Sequence, residues 1–157
     1  MQLLKTEAGI WLGGGEWPLL VTDLYISYSA AELSSFVTTC PHLLPRSPEQ
    51  AAFAALGLLP SRQQIAALKA RYPHARWHLL FDNDLTGKIT DARVAAWYGG
   101  RDALFRVNDD IVTAAYRGKS FAFDAAQFSF YRFERATGLR TGIRTYKAKG
   151  FTSYLKY

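Results

Sequence analysis

The stretch WHLLFDNDLTGK, residues 77–88, decides the fold that we expect for this chain. Its first five residues are almost entirely apolar, which is typical of a strand buried on both faces. An Asp-Asn-Asp sequence ends this strand, and Gly87 follows. The next residues predict a helix over roughly 86–98 that stops at two glycines. A buried strand, an acidic turn and a helix in this order are typical of a parallel α/β unit.

Outward from this stretch, the chain alternates between strands and helices. Two further helices are predicted to begin after Ser29 and Ser61, because each serine is followed three residues later by Glu or Gln, the pattern of a capping box. Apolar runs predict short strands over residues 9–12, 18–22, 52–56 and 103–107. This alternation favours an α/β fold with a small, mostly parallel sheet flanked by helices on both faces.

The last third of the chain is less regular. A hairpin is predicted around an Arg-Gly turn, followed by a helix over residues 127–137. No element is assigned from residue 143 onward. We therefore divide the chain into an α/β domain over residues 1–108 and a basic, aromatic-rich α+β extension, packed on that domain, over residues 109–157.

Composition excludes several classes of protein. The chain has 157 residues, which is enough for one domain with a core of its own, and its single cysteine, Cys40, cannot form an internal disulfide or a cysteine zinc site. The longest uncharged apolar stretch is too short to span a bilayer, and the N-terminus lacks the pattern of a signal peptide. We therefore expect no membrane partner and a cytoplasmic location.

The net charge of +6 is concentrated at the C-terminal end. Residues up to 127 carry twelve basic and twelve acidic side chains, whereas the last thirty residues carry seven basic side chains, one acidic side chain and eight aromatic rings. Basic side chains attract phosphates and exposed rings, such as Tyr154 or Tyr157, stack on bases, so this segment favours binding to nucleic acid. The alternative is a packed subdomain in which the rings form a core and the charges are solvated.

Carboxylates follow two of the predicted strands. Asp23 follows the strand at 18–22, and Asp82 and Asp84 follow the strand at 77–81. Ligands of open α/β sheets bind at the carboxyl ends of the strands, so we expect these three side chains to share one cation, Mg²⁺ or Mn²⁺, if the two strands are neighbours. The alternative for the Asp-x-Asp pair is ordinary turn and helix-capping chemistry.

The run from Phe81 to Lys88 resembles the second motif of Toprim (topoisomerase–primase) domains, in which an apolar strand ends in Asp-x-Asp and a glycine and a helix follow. It is most similar to Toprim domains of bacterial primase-like and mobile-element proteins. In the first motif of this family, an apolar strand ends in a glutamate that acts as general acid/base. The similar stretch here, residues 19–23, ends in Asp23, whose side chain is one methylene shorter. The resemblance covers about residues 9–107 and implies a Toprim-like sheet.

The resemblance also implies a module that processes DNA or another nucleic acid within a larger replication or mobilisation assembly. Asp82 and Asp84 would be metal ligands and Asp23 the catalytic acid/base, with chemistry like that of primases, topoisomerases or nucleases. The alternative, which the shortened Asp23 favours, is a non-catalytic nucleic-acid-binding or protein-interaction module on a Toprim-like scaffold. The basic residues that we predict to contact nucleic acid are Lys88, Arg132, Arg135, Arg140, Arg144, Lys147 and Lys149.

Overall fold

The computed structural model of the chain describes residues 4–5 and 8–156. Nine strands and four α-helices lie within this part of the chain. The strands are β1 (Leu4–Lys5), β2 (Trp11–Gly14), β3 (Asp23–Ser27), β4 (Ala51–Ala55), β5 (Arg76–Leu79), β6 (Ala103–Asn108), β7 (Ile111–Tyr116), β8 (Lys119–Asp124) and β9 (Arg144–Thr145). The helices are α1 (Ala30–Thr39), α2 (Arg62–Arg71), α3 (Leu85–Tyr98) and α4 (Phe130–Thr137).

One mixed sheet contains the first five strands and β9, in the order β1-β2-β4-β3-β5-β9. Strands β4, β3, β5 and β9 are parallel to one another, while β1 and β2 add antiparallel strands at one edge. The connections from β3 to β4 and from β4 to β5 each contain a helix, as parallel neighbours require. The predicted α/β class is confirmed in this coarser form, a mixed sheet flanked by helices.

Alternate residues of β3 pack against different helices. Leu24 and Ile26 lie in a core that includes side chains of α2 and α3, whereas Tyr25 lies in a second core with Leu33 and Phe36 of α1. Consecutive side chains of a strand point to opposite faces of the sheet. Helix α1 therefore covers one face, and α2 and α3 cover the other.

The strand predicted over residues 18–22 is absent. Pro18–Leu20 forms a 3₁₀ turn instead, and both of its leucines are exposed. Proline has no N–H to donate to a neighbouring strand and favours the first position of a helical turn, so an apolar run that starts with Pro18 is a poor strand. The strand begins at Asp23, and the apolar residues that follow it are the buried ones. Asp23 therefore lies at the amino end of β3 and not at a carboxyl end.

The predicted helices are all present. Ser29 and Ser61 cap α1 and α2, and each side chain accepts a hydrogen bond from the backbone N–H three residues later. Helix α4 begins after Ser129 and ends at Gly138, whose φ of 76° favours glycine. Among the described residues, no helix combines the length and the apolar character needed to cross a bilayer.

Strands β6, β7 and β8 form a separate antiparallel sheet. The predicted hairpin between β7 and β8 is confirmed, and its turn residues Arg117 and Gly118 both have positive φ, as a type I′ turn requires. The prediction that β6 belongs to the parallel sheet is wrong, because all of its residues pair with β7. The predicted boundary after residue 108 thus separates two paired strands.

The C-terminal segment returns to the main sheet. Strand β9 lies parallel to β5, and the N–H of Tyr146 donates to the carbonyl of Leu79. The final 3₁₀ turn, Tyr154–Lys156, packs on α1, where the rings of Tyr154 and Phe36 meet edge to face at 5.2 Å. This return places residues 146–154 beside the carboxyl ends of β3 and β5, which is where the fold brings its acidic side chains together.

Candidate functional site

Several carboxyl groups lie close together at the carboxyl end of the main sheet, and we call Glu32, Asp82, Asp84 and Asp91 the carboxylate cluster. They meet because β3 and β5 are adjacent parallel strands, so the residues that follow each strand lie at one edge. Burial and the nearby charges of Asp82, Asp84 and Asp91 together raise the pKa of the Tyr28 hydroxyl to about 12, although its hydrogen bond to Thr90 opposes the shift. Tyr28, the first residue after β3, is therefore at the centre of an acidic environment.

The ammonium group of Lys147 lies within this cluster. Its Nζ is 2.6 Å from Oδ2 of Asp91, and it donates hydrogen bonds of 2.9 and 3.1 Å to the carbonyl oxygens of Phe81 and Asp82. The side chain of Lys147 is 20% exposed and that of Asp91 is 1% exposed. The ammonium thus has two hydrogen bonds and one ion pair inside the protein. The prediction that Lys147 contacts nucleic acid gains no support from this placement and stays a prediction.

Asp91 is the most deeply buried member of the cluster. Burial raises the pKa of its carboxyl from 3.8 to about 7, although the charge and hydrogen bond of Lys147 oppose the shift. Helix α3 carries Asp91 among buried apolar residues, including Ala92, Val94 and Ala95. A buried carboxylate in such surroundings requires a counter-ion, which the C-terminal segment supplies as Lys147.

Glu32 occupies the third position of α1 but does not complete the predicted capping box. The hydroxyl of Ser29 accepts a hydrogen bond from the Glu32 N–H, as predicted. The Glu32 carboxyl, however, accepts a hydrogen bond from the hydroxyl of Ser27 and turns towards Asp82. Burial raises the pKa of Glu32, and the charge and hydrogen bond of Asp82 raise it further, while Ser27 opposes the shift. Two carboxyl groups in this contact favour sharing one proton.

The turn between β5 and α3 is tight at Gly87. A Cβ at this position would lie 2.0 Å from the carbonyl oxygen of Asp82, so no larger residue fits without moving the backbone. Asp84 is the N-cap of α3, and its Oδ1 accepts a hydrogen bond of 2.8 Å from the Gly87 N–H. The helix-capping alternative is therefore confirmed for Asp84.

The carboxylate cluster as placed does not fit a divalent cation. Among the described residues, no group of three or more His, Cys, Asp or Glu side chains is arranged to hold a metal. Lys147 already supplies positive charge beside Asp82 and Asp91, and the Asp84 carboxylate caps a helix. The predicted Mg²⁺ or Mn²⁺ ion stays a prediction.

Asp23 lies at the opposite end of the sheet from the carboxylate cluster. It is in register with Arg76, the first residue of β5, whereas Asp82 follows the end of that strand. The expectation that Asp23 shares a site with Asp82 is wrong, and the geometric basis for Asp23 as a catalytic acid/base is lost with it. The resemblance placed its glutamate at Asp23, and at the carboxyl end of β3 the chain has Ser27 and Tyr28 instead of a carboxylate.

Asp23 instead binds a buried histidine. Its Oδ1 lies 2.7 Å from Nε2 of His78. The His78 ring stacks on Tyr25 and Tyr146, with centroid distances of 4.6 and 5.5 Å. Burial lowers the pKa of His78, against the opposing effect of Asp23. The buried His78 ring thus joins the partly exposed Asp23 to the aromatic side chains beside β5 and β9.

Most of the predicted nucleic-acid contacts are on the surface. Five of them are exposed and take part in neither ion pair of the described chain, so their charges face solvent. Lys88 differs, because it is only half-exposed in the first turn of α3 and its charge acts on Asp91. The exposed residues are Arg132, Arg135, Arg140, Arg144 and Lys149.

The aromatic rings of the last thirty residues are divided between core and surface. Three phenylalanines in or next to α4 are buried, as the packed-subdomain alternative predicts. Tyr154 is only 5% exposed, so the prediction that its ring is available for stacking is wrong, and Tyr157 lies outside the described residues. Tyr131, which was not singled out from the sequence, is 56% exposed.

Sequence reasoning missed Tyr28, Asp91 and the second role of Glu32. The signal for Asp91 was an acidic residue inside a helical run that contains three alanines and a valine, since a charge on such a face must find a partner. Tyr28 was missed because β3 was placed five residues too early. The role of Lys147 depends on a long-range contact that no local pattern shows.

Comparisons with models of known protein families, with curated proteins and with solved structures found no match to this chain. The resemblance to Toprim domains therefore stays a prediction. The geometry of the described residues carries the functional proposal.

Proposed function

We propose that this protein is a nucleic-acid-binding module whose carboxylate cluster stabilises the fold and does not catalyse metal-dependent chemistry. The observation that carries the proposal is that most of the C-terminal basic residues are exposed and take part in no described ion pair. Five of the seven predicted contacts are exposed, and neither described ion pair involves them. They therefore remain available for phosphates.

Electrostatics support a polyanionic partner. The chain up to residue 127 has no net charge, so an approaching polyanion is attracted mainly to the C-terminal segment. Each arginine or lysine that neutralises a phosphate releases condensed counter-ions, which makes binding favourable at low salt. Arginine also forms bidentate hydrogen bonds with phosphate oxygens, and four of the five exposed contacts are arginines.

The carboxylate edge supports binding without catalysis. In this proposal the Lys147 ammonium takes the place that a metal would need near Asp82 and Asp91. Ser27 and Tyr28 stand at the carboxyl end of β3, and neither is a carboxylate that could serve as the acid/base. The alternative of a non-catalytic module on a Toprim-like scaffold is thus the one that the geometry favours.

Salt dependence tests the proposal. If four to six side chains contact phosphates, the affinity for DNA falls with salt with a log–log slope of about −3 to −5. Replacing both Arg140 and Arg144 with alanine is expected to flatten this slope by about 1.5. The matched control replaces two exposed arginines outside the C-terminal segment, Arg46 and Arg101, and is expected to leave the slope unchanged. Absence of binding to single- and double-stranded DNA and RNA at low salt would refute the proposal.

Metal-dependent processing is the second candidate, because the Glu32 and Asp82 carboxyls lie together at the strand edge that the resemblance assigns to a cation. Our proposal predicts that Mn²⁺ titrated into the purified protein, followed by calorimetry, shows no binding that depends on Asp82. It also predicts no cleavage or primer synthesis above background. Binding that is lost in Asp82→Asn but kept in the exposed control Asp124→Asn would replace the first candidate with the second.

A further inference from the structure

We infer that the outer face of α4, together with the neighbouring strand β8, is a binding site for one nucleotide unit of a single-stranded nucleic acid. This inference rests on the proposed function and names the part of the surface at which a nucleotide would bind. Residues four apart lie on the same face of a helix, so Tyr131 lies beside Arg135 and Arg132 lies beside Ala136. Tyr131, Arg132, Arg135 and Ala136 have this spacing and line an open depression of about 600 Å³, completed by Phe123 and Ser129.

Helix α4 is anchored so that this face is fixed. Its opposite face carries Phe130 and Phe133, which are both fully buried in the core. The hydroxyl of Ser129 caps the first turn, and Gly138 ends the helix in the left-handed conformation. A site on an anchored helix needs little ordering when a ligand binds, which favours affinity.

The depression combines an exposed ring with uncompensated positive charge. The ring of Tyr131 is held edge to face against Phe130 at 5.2 Å and is 56% exposed. Arg132 and Arg135 take part in neither ion pair of the described chain. Glu134, the one acidic residue of this helix, is occupied on another side, where it accepts hydrogen bonds from the N–H and hydroxyl of Thr141.

These features select the ligand chemistry. A ring favours stacking of a flat base, and two guanidinium groups favour the adjoining phosphate. The volume is within the range of sites that hold molecules of nucleotide size. A duplex hides the faces of its bases, so the ring can contribute only when the strand is unpaired. The site is therefore expected to prefer single strands, whereas Arg140 and Arg144 have no such preference.

The test measures binding of a labelled oligothymidine of about 12 nucleotides and of a duplex of equal length to the full chain. Tyr131→Leu is expected to weaken binding to the single strand by about fivefold to a hundredfold, with the salt slope and duplex binding unchanged. Tyr131→Phe keeps the ring and is expected to bind as the unchanged protein does. Replacing Arg132 and Arg135 with glutamine is expected to flatten the salt slope by about 1.5.

The outcomes separate this inference from the proposed function. If the unchanged protein binds neither probe, the proposed function fails. If it binds and Arg140→Ala with Arg144→Ala weakens binding while Tyr131→Leu does not, the proposed function stands and the α4 site is wrong. Photocrosslinking of bromodeoxyuridine in the single strand, with the crosslinked peptide identified by mass spectrometry, is expected to label the peptide that contains Tyr131. Labelling confined to other peptides would also overturn the inference.

Discussion

Replacing Lys147 with methionine is expected to lower the free energy of unfolding by about 3–5 kcal/mol at a pH near 8, because it leaves the Asp91 carboxylate buried without a counter-ion. The loss is expected to be much smaller at a pH near 5. With its pKa raised to about 7, Asp91 is mostly protonated there and needs no positive partner. Urea denaturation at the two pH values measures the difference. The exposed neighbour Lys149→Met is the control and is expected to change stability by less than about 0.5 kcal/mol.

In the unchanged protein, the raised pKa of Asp91 also determines how the free energy of unfolding depends on pH. The folded-state pKa of Asp91 lies above its ordinary value of 3.8, so the folded protein binds this proton more tightly than the unfolded chain does. The contribution of Asp91 to stability is complete below about pH 4 and is lost as the pH rises towards 7. Asp91→Asn is expected to remove this dependence of stability on pH. Asp91→Asn combined with Lys147→Met is expected to be more stable at high pH than Lys147→Met alone. Equal losses for Lys147→Met at both pH values would show that the lysine acts through packing and not through charge.

The sequence predicted the fold where local chemistry decides it. Serine caps, the glycine after α4 and the Arg-Gly turn of the hairpin each satisfy backbone groups within a few residues, and each was placed correctly. The strand before Asp82 was also predicted correctly as a buried parallel strand, because such a strand has a continuous apolar run. Local patterns of this type do not depend on what the rest of the chain does.

Errors arose where two segments had similar local signals or where pairing was non-local. Apolar residues on both sides of Asp23 left the register of β3 ambiguous, and the shift moved this aspartate from one end of the sheet to the other. Strand β6 follows a helix, as parallel strands do, yet it pairs with the hairpin that comes after it. The contact between Lys147 and Asp91 joins residues far apart in sequence, so no spacing rule predicts the charge balance of the candidate site.

Gly87→Ala is expected to destabilise the protein by about 3 kcal/mol or more, although alanine favours helix by about 1 kcal/mol over glycine. The added Cβ would lie 2.0 Å from the carbonyl oxygen of Asp82 and 2.7 Å from its carbonyl carbon, and backbone atoms cannot rotate away as a flexible side chain can. Relief requires α3 and the acidic turn to separate, which also breaks the hydrogen bond by which Asp84 caps the helix. Denaturant unfolding measures the loss.

Gly99→Ala, at the other end of the same helix, is the matched control for Gly87→Ala. Its Cβ would lie 3.2 Å from Cδ1 of Leu139, a side-chain atom that can move aside. We expect Gly99→Ala to change stability by less than about 1 kcal/mol. If Gly87→Ala were as stable as the unchanged protein, the turn could open at little cost. The Asp-x-Asp segment would then not be held rigidly against α3.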